Sequence, residues 1–312
     1  MNYKHLFGPV PSRRLGVSLG IDLVPYKTRS YDCVYCECGK TTNLTFNRKE
    51  YVPTDEIIKE LNNFLQSNPE LDYITFSGSG EPTLHTGIGI IAKFLKSNYP
   101  QYKIALLTNG SLLYDEEVQD AIMNIDLIMP SFDAFSDKVI SKINRPAPKF
   151  NREKYIEGFK EFFAKYSGKV KVEVFVAKGV NDCREEIEKI DEFMGDFNVD
   201  AIQLNTLDRP GTEDWVKPVS RNELEQIRKY FKKNTVKIIA KFHSRKQSKA
   251  YSSGIKAKIL DTISRRPCTA QDLCNVLGLH INEINKYLDM LSEEDEVRTK
   301  KLQRGTFFSK KQ

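Results

Sequence analysis

The alternation of short β-rich segments with longer amphipathic segments, from residue 16 to about 240, constrains the fold more than any other feature. Runs rich in β-branched and aromatic residues predict strands at 17–24, 73–76, 103–107, 127–130, 170–176 and 201–205. Apolar residues at helical spacing predict helices near 54–66, 87–98, 115–123, 152–166, 184–195 and 221–232. Repeated βα units form a parallel sheet covered by helices. The pattern predicts an α/β fold, and it leaves open whether the sheet is doubly wound or a partial barrel.

The chain carries no sequence signal for a membrane or for export. No apolar run approaches the roughly 20 residues that a membrane-spanning helix needs. Residues 1–7 lack the apolar core of a signal peptide. We therefore expect a cytoplasmic location, where cysteines stay reduced.

A second unit is predicted after residue 250. Residues 241–254 are basic and polar and end in Ser-Ser-Gly, which predicts a linker between a βα unit at 1–245 and a smaller unit at 250–312. Helical patterns at 255–263, 270–277 and 281–291 precede a hairpin pattern at 297–308, an order typical of a winged helix-turn-helix domain.

The charge of this second unit leaves its partner open. Basic residues late in the sequence favour contact with nucleic acid: Arg298, Lys300, Lys301, Arg304, Lys310 and Lys311. The acidic run at 293–296 would repel phosphate. The unit is predicted either to bind nucleic acid through its basic wing or to bind another protein.

Two cysteines spaced for metal binding follow the first predicted strand. Cys33 and Cys36 form a C-x-x-C pair, and Cys38 lies two residues further on. In a cytoplasmic protein this cluster favours a metal or redox site over a disulfide. By itself the spacing fits zinc, a redox pair or an iron–sulfur cluster.

A glycine-rich turn follows the second predicted strand. It consists of Gly78, Ser79, Gly80, Glu81 and Pro82. Such a turn exposes backbone groups at the carboxyl edge of a parallel sheet, where these sheets bind ligands. Polar residues also follow later strands, namely Asn109, Ser131, Asp133, Asn205 and Arg209. The sequence thus predicts a site at one rim of the sheet.

Several motifs in order resemble one branch of the radical S-adenosylmethionine (SAM) superfamily. They are the segments 7–16, 22–28 and 31–36 together with the glycine-rich turn. The branch is related to the wyosine-synthesis enzymes that modify tRNA, and the resemblance extends to about residue 240. It implies a partial (β/α)6 TIM-like barrel, a [4Fe–4S] cluster, SAM as cofactor, and a one-electron reductant such as flavodoxin or ferredoxin as partner.

The resemblance also implies roles for individual residues. Cys33 and Cys36 would be the second and third cluster ligands, and Tyr35 would be the aromatic residue beside the cofactor. The turn from Gly78 to Pro82 would seat the methionine moiety of SAM. The polar residues that follow the later strands would be further cofactor or substrate contacts.

Position 29 departs from the family pattern. The usual loop, C-x-x-x-C-x-aromatic-C, places a cysteine where this chain has Arg29. A guanidinium does not lose its proton in proteins and cannot ligate iron. Three interpretations remain open: Cys38 supplies the third thiolate, the cluster is lost and Arg29 is a fixed positive charge, or Arg29 is a variant one base change from cysteine.

Two functional hypotheses follow. The first is a radical SAM iron–sulfur enzyme that cleaves SAM reductively to a 5′-deoxyadenosyl radical and acts on an unknown substrate, with RNA among the candidates. The second is a catalytically silent SAM-binding barrel with a regulatory or nucleic-acid-binding winged helix. A zinc site at Cys33, Cys36 and Cys38 is a third and less favoured interpretation.

Overall fold

The computed structural model describes residues 3–12, 14–36, 39–207, 211–239, 253–302 and 305–311. The strands are β1 (Leu6–Ser12), β2 (Gly16–Ile21), β3 (Thr28–Arg29), β4 (Asn43–Leu44), β5 (Tyr73–Phe76), β6 (Lys103–Thr108), β7 (Leu127–Pro130), β8 (Lys169–Val176), β9 (Ala201–Thr206), β10 (Val236–Ile238), β11 (Cys268–Thr269), β12 (Val297–Leu302) and β13 (Gly305–Lys310). The helices are α1 (Thr54–Leu65), α2 (Ile88–Asn98), α3 (Glu116–Ile122), α4 (Asp137–Ile143), α5 (Arg152–Lys165), α6 (Arg184–Met194), α7 (Arg221–Arg228), α8 (Ser253–Arg265), α9 (Ala270–Leu277) and α10 (Ile281–Glu293).

The main sheet is mostly parallel, which confirms the predicted α/β class. Its strand order is β1-β2-β5-β6-β7-β8-β9-β10. Strand β1 pairs antiparallel with β2, and the remaining neighbours are parallel. All six predicted strands are present as β2 and β5 to β9. The structure adds β10, which pairs parallel with β9. The predicted six-stranded barrel therefore has one parallel strand too few. The three residues of β10 are too few to show an alternating pattern.

The sheet curls into a partial barrel. Arg14, between β1 and β2, forms an ion pair with Glu173 in β8. In a flat sheet the four strand spacings from β2 to β8 would separate these residues by about 19 Å, beyond the reach of an arginine side chain. Leu15 likewise packs with Leu127 and Met129 of β7. The curvature brings the strand ends around one cavity.

The helices cover the outside of the sheet with their apolar faces. In α5, the buried residues Tyr155, Phe159 and Phe162 recur at helical spacing, and the Asn151 side chain accepts a hydrogen bond from the Lys154 amide at the helix start. The sequence did not predict α4, whose seven residues bury only Ile140 and Ile143. None of the described helices is both long and apolar enough to cross a membrane.

The region after residue 253 forms a smaller unit with its own core. It contains α8, β11, α9, α10, β12 and β13 in chain order, and β13 pairs antiparallel with both β11 and β12. Its core includes Ile259, Leu273, Ile284 and Leu291. The predicted helices and hairpin are present. Most of the predicted linker lies outside the described residues, and its last two residues belong to α8.

Candidate functional site

A cavity of about 230 Å³ lies at the carboxyl ends of the parallel strands. Its walls come from the loop after β2, from the ends of β5, β6 and β7, and from Glu173 inside β8. The lining residues are Arg29, Tyr31, Cys33, Tyr35, Cys36, Ser77, Gly78, Gly80, Glu81, Leu107, Thr108, Asn109, Met129, Ser131 and Glu173. Eight of the site residues predicted from the sequence therefore line one cavity.

A larger cavity, of about 520 Å³, lies elsewhere on the surface. Its lining includes Arg48, Asp115 and Glu117. Arg48 forms ion pairs with both carboxylates, at 3.4 and 2.9 Å. These charges stabilise each other, and no cysteine or glycine-rich turn lies there, so the smaller cavity is the better candidate.

Arg29 fills the space between the cysteine loop and the glycine-rich turn. Its Nε and one terminal nitrogen donate hydrogen bonds to the Ser79 carbonyl at 2.8 and 2.6 Å. The other terminal nitrogen donates to Cys36 Sγ at 2.8 Å and to the Gly39 carbonyl at 3.4 Å. The pairing of β3 with β4 fixes the backbone of Arg29. A positive charge thus stands at the position where the sequence resemblance implies the first cluster cysteine.

The described residues do not complete a three-thiolate cluster site. Cys33 Sγ accepts a hydrogen bond from Asn144 Nδ2 at 3.5 Å. Desolvation by the surrounding protein and, secondly, the charge of Asp133 raise the pKa of Cys33 to about 12. Within the described ranges, no group of three His, Cys, Asp or Glu side chains is placed to hold a metal ion. Cys38, the predicted third thiolate, lies outside the described residues.

The glycine-rich turn packs directly on the residues after β2. At Gly78, where φ is +148°, a Cβ atom would lie 2.3 Å from Asp22 Oδ1. At Gly80 a Cβ atom would lie 2.1 Å from a methyl group of Val24. Only glycine fits either position, so the turn lines the cavity with backbone. Ser79 lies behind the turn, where its amide and hydroxyl donate to Asp22 at 3.1 and 2.8 Å.

Glu81 is buried and saturated with protein donors. Its carboxylate accepts hydrogen bonds from the Thr83 amide and hydroxyl, the Thr108 hydroxyl and the Asn109 amide, at 2.6 to 3.1 Å. Burial raises the pKa of Glu81, and these hydrogen bonds oppose that rise. The carboxylate therefore ties the end of β5 to the end of β6. Pro82 begins a buried 3₁₀ turn behind the cavity wall.

Tyr35 is held in the cavity wall by a buried aspartate. Its ring stacks on Phe175 with centroids 3.8 Å apart, and its hydroxyl donates to Asp133 Oδ2 at 2.6 Å. Asp133 also accepts from Asn144 Nδ2 at 2.7 Å and from the Phe175 amide at 2.8 Å. Burial raises the pKa of Asp133 to about 6. Asp133 thus supports the site from behind and does not line it.

Glu173 is a lining residue that the sequence analysis missed. It accepts a hydrogen bond from Asn205 Nδ2 at 2.9 Å and pairs with Arg14. Asn205 does not line the cavity itself. In β8, valines at 170, 172 and 174 alternate with charged residues at 171 and 173. This period-two pattern places the charged side chains on the barrel interior. The same pattern in the sequence could have identified Glu173 as a lining residue.

The chain after β9 covers the cysteine loop. A Cβ atom on Gly211 would lie 3.0 Å from the backbone of Tyr35, and the Thr212 hydroxyl donates to the Cys36 carbonyl at 3.0 Å. Arg209, a predicted contact residue, lies outside the described residues.

The remaining predicted residues divide into two groups. Asn109 and Ser131 line the cavity, and Asn109 Nδ2 also donates to the Ser30 hydroxyl at 2.8 Å, which ties the cysteine loop to β6. The predicted residues found in the lining are Cys33, Tyr35, Cys36, Gly78, Gly80, Glu81, Asn109 and Ser131. Those that support it from behind are Ser79, Pro82, Asp133 and Asn205.

Comparison with known proteins shows which family the chain resembles. Residues 30–194 match the family model of the radical SAM superfamily. A UPF0026 protein of Methanocaldococcus jannaschii is 34% identical over 292 residues, covering 91% of this chain and 90% of that protein. A protein named GTPase Obg from Brachyspira hyodysenteriae is 34% identical over 300 residues and 95% of this chain, but the chain spans only 43% of its length.

The fold is also similar to a solved structure. A radical SAM methyltransferase from Sphaerobacter thermophilus superposes with a TM-score of 0.57 at 14% identity. The match covers 72% of this chain and 67% of that one. At this identity the similarity concerns the fold alone.

Proposed function

Because this chain belongs to the radical SAM superfamily, we propose that it binds SAM in the cavity between the cysteine loop and the glycine-rich turn. Its relatives in the superfamily include enzymes, and the family typically uses a [4Fe–4S] cluster together with SAM. The cavity supports binding of the nucleoside part, because Tyr35, Leu107 and Met129 supply aromatic and apolar surface. Gly78 and Gly80 expose backbone groups for the amino-acid part.

The contacts of Arg29 carry the second half of the proposal. With Arg29 at this position, the protein binds SAM but does not hold a cluster on three cysteines. The guanidinium bonds Cys36 Sγ at 2.8 Å and the Ser79 carbonyl at 2.6 Å, so it takes up the space and one of the thiols that a cluster needs. This is the catalytically silent form, a radical-enzyme scaffold that retains its ligand site.

Iron and sulfide content after anaerobic reconstitution tests this proposal. We compare the protein with Arg29→Cys, and we measure SAM binding of both by equilibrium dialysis. We expect SAM binding by both proteins but about four irons and a reduced-cluster EPR signal only in Arg29→Cys. The matched control is Cys33→Ala in the Arg29→Cys background, which removes a thiolate and must lose the iron. Absence of SAM binding in both proteins would contradict the ligand assignment.

One observation favours a second candidate function, an iron–sulfur enzyme that uses Cys38 as its third ligand. The Gly39 amide donates to the Cys36 carbonyl at 3.1 Å, and the Gly39 carbonyl accepts from Arg29. Cys36 and Gly39, the described residues nearest to Cys38 in the chain, therefore both contact Arg29. In this case the unmodified protein holds iron, Cys38→Ala loses it, and dithionite produces 5′-deoxyadenosine from SAM.

For the smaller unit we propose a winged helix that binds nucleic acid through its hairpin. Three helices followed by an antiparallel hairpin support this proposal, as do Arg298, Lys300 and Lys310 on β12 and β13. RNA is the class we test first, because the sequence resembles enzymes that modify tRNA. Binding of bulk tRNA measured at several salt concentrations tests it, since each lost phosphate contact reduces the salt slope. A Lys300→Glu variant should bind more weakly with a shallower slope, and equal binding would contradict the proposal.

A further inference from the structure

His280 joins the smaller unit to the barrel at the start of α10. Its ring lies parallel to that of Phe7 in β1, with centroids 4.7 Å apart and 14° between the planes. Its Nδ1 accepts a hydrogen bond from the Asn282 amide at 3.2 Å. The proton of the neutral ring therefore lies on Nε2, which donates to Asp22 Oδ2 at 3.0 Å.

Asp22 links this histidine to the glycine-rich turn. Asp22 is 7% exposed. The same oxygen, Oδ2, accepts from the Ser79 amide and hydroxyl. The other oxygen, Oδ1, is buried without a hydrogen-bond partner among the described residues and lies against Gly78. One carboxylate thus contacts α10 on one side and the turn on the other.

A buried carboxylate depends on its donors. Each donor offsets part of the cost of removing the charge from water, and a lost donor leaves that cost uncompensated. Among the described residues, His280 is the side-chain donor to Asp22 that does not come from the turn itself. Without the imidazole N–H, the Ser79 amide and hydroxyl are the remaining described donors to the Asp22 carboxylate, so the acceptor of the Ser79 amide is less firmly fixed.

We infer that His280 is a positioning residue, which holds Asp22 and through it the backbone of residues 78–80 in the form that binds the ligand. Docking of α10 on β1 thereby sets the affinity of the barrel cavity. The inference rests on the proposed function only for the identity of the ligand. The effect on the turn itself does not depend on that function.

Two substitutions at one position separate the hydrogen bond from the packing. His280→Phe retains a ring to stack on Phe7 but has no N–H for Asp22 and no acceptor for the Asn282 amide. His280→Gln loses the ring but retains an N–H donor. Lys301→Ala is the matched control, because Lys301 pairs with Asp214 and forms a different contact between the two units.

The first measurement is amide hydrogen exchange of residues 77–81 in the full chain without ligand. We expect His280→Phe to raise exchange at Ser79 and its neighbours at least threefold, whereas His280→Gln and Lys301→Ala stay within twofold of the unmodified protein. The second measurement is the dissociation constant for SAM. We expect this constant to rise about three- to tenfold in His280→Phe, which corresponds to the free energy of one hydrogen bond. In His280→Gln it should return to the value of the unmodified protein.

The alternative outcomes overturn the inference. If His280→Phe exchanges like the unmodified protein, the histidine does not position the turn. If both His280 variants, or all three variants, instead raise amide exchange of the turn equally, the packing of the two units holds the turn. In that case the hydrogen bond from His280 to Asp22 does not hold it. If the unmodified protein fails to bind SAM, the proposed function fails, while the exchange comparison still decides the role of His280.

Discussion

The barrel and the smaller unit are built on separate cores, and they differ in where they keep their polar groups. The barrel buries acidic side chains such as Glu81 and Asp133 under its rim, each bonded to several donors. The smaller unit buries mainly apolar side chains and Tyr287. Between the two lie contacts that include polar ones, such as His280 with Asp22 and Lys301 with Asp214. Interfaces of this kind resemble transient protein–protein contacts, so we expect two cooperative units joined by a weak but specific interface.

The largest effect should come from the barrel core. Phe132 is fully buried and packs against the rings of Tyr155, Phe159 and Phe193. Phe132→Ala should lower the free energy of unfolding of the barrel by about 3–5 kcal/mol, because it leaves a cavity among these rings. Hydrogen exchange recorded across a urea titration measures this loss of free energy for the barrel. Protection of α10 in the same titration is the internal control. If α10 loses protection in the same transition, the two cores are one cooperative unit.

A truncation in the smaller core should act locally. Ile284 is fully buried in α10. Ile284→Ala should destabilise residues 253–311 by about 2–4 kcal/mol and leave the barrel transition unchanged. Val276→Ala is the control, because Val276 is 53% exposed. An equal shift of the barrel transition would show that the interface transmits more free energy than its polar contacts indicate.

A smaller effect is expected at the polar network under the rim. The two carboxylate oxygens of Asp133 accept three hydrogen bonds, from Tyr35, Asn144 and the Phe175 amide. In Asp133→Asn one donor faces an NH₂ group, which should cost about 1–3 kcal/mol of unfolding free energy and release Tyr35 from its fixed position. Urea denaturation and SAM affinity report the two effects. The exposed Asp120→Asn in α3 serves as control, and an unchanged affinity would show that Tyr35 is held without Asp133.

The smallest effect is expected at the exposed contact between the units. The side chains of Lys301 and Asp214 are 45% and 81% exposed. Lys301→Ala should change the unfolding free energy by less than about 0.5 kcal/mol, because solvent screens such pairs. A larger change in either unfolding transition would make this ion pair, and not His280, the main polar link.

The sequence predicted elements well where local patterns were long. The six main strands and the three helices of the smaller unit are confirmed. The sequence did not predict β1, β3, β4, β10, β11 and α4, and of these β3, β4, β10 and β11 are only two or three residues long. In β1 the two prolines obscured the strand pattern, and α4 buries only two residues. The cavity residues found from sequence are those at strand ends, whereas Glu173 lies inside β8 and was missed.

The sequence by itself determined the βα order, the C-x-x-C pair, the glycine-rich turn and the arginine at position 29, because each depends on neighbouring residues. Only the tertiary structure decided which of these groups meet. The contact of Arg14 with Glu173 spans 159 residues, and that of His280 with Asp22 spans 258. The tertiary structure also showed that the Glu81 carboxylate accepts hydrogen bonds from Thr83, Thr108 and Asn109. Such contacts depend on how the sheet curls and where α10 docks, and no local pattern encodes the distance between residues so far apart in the chain.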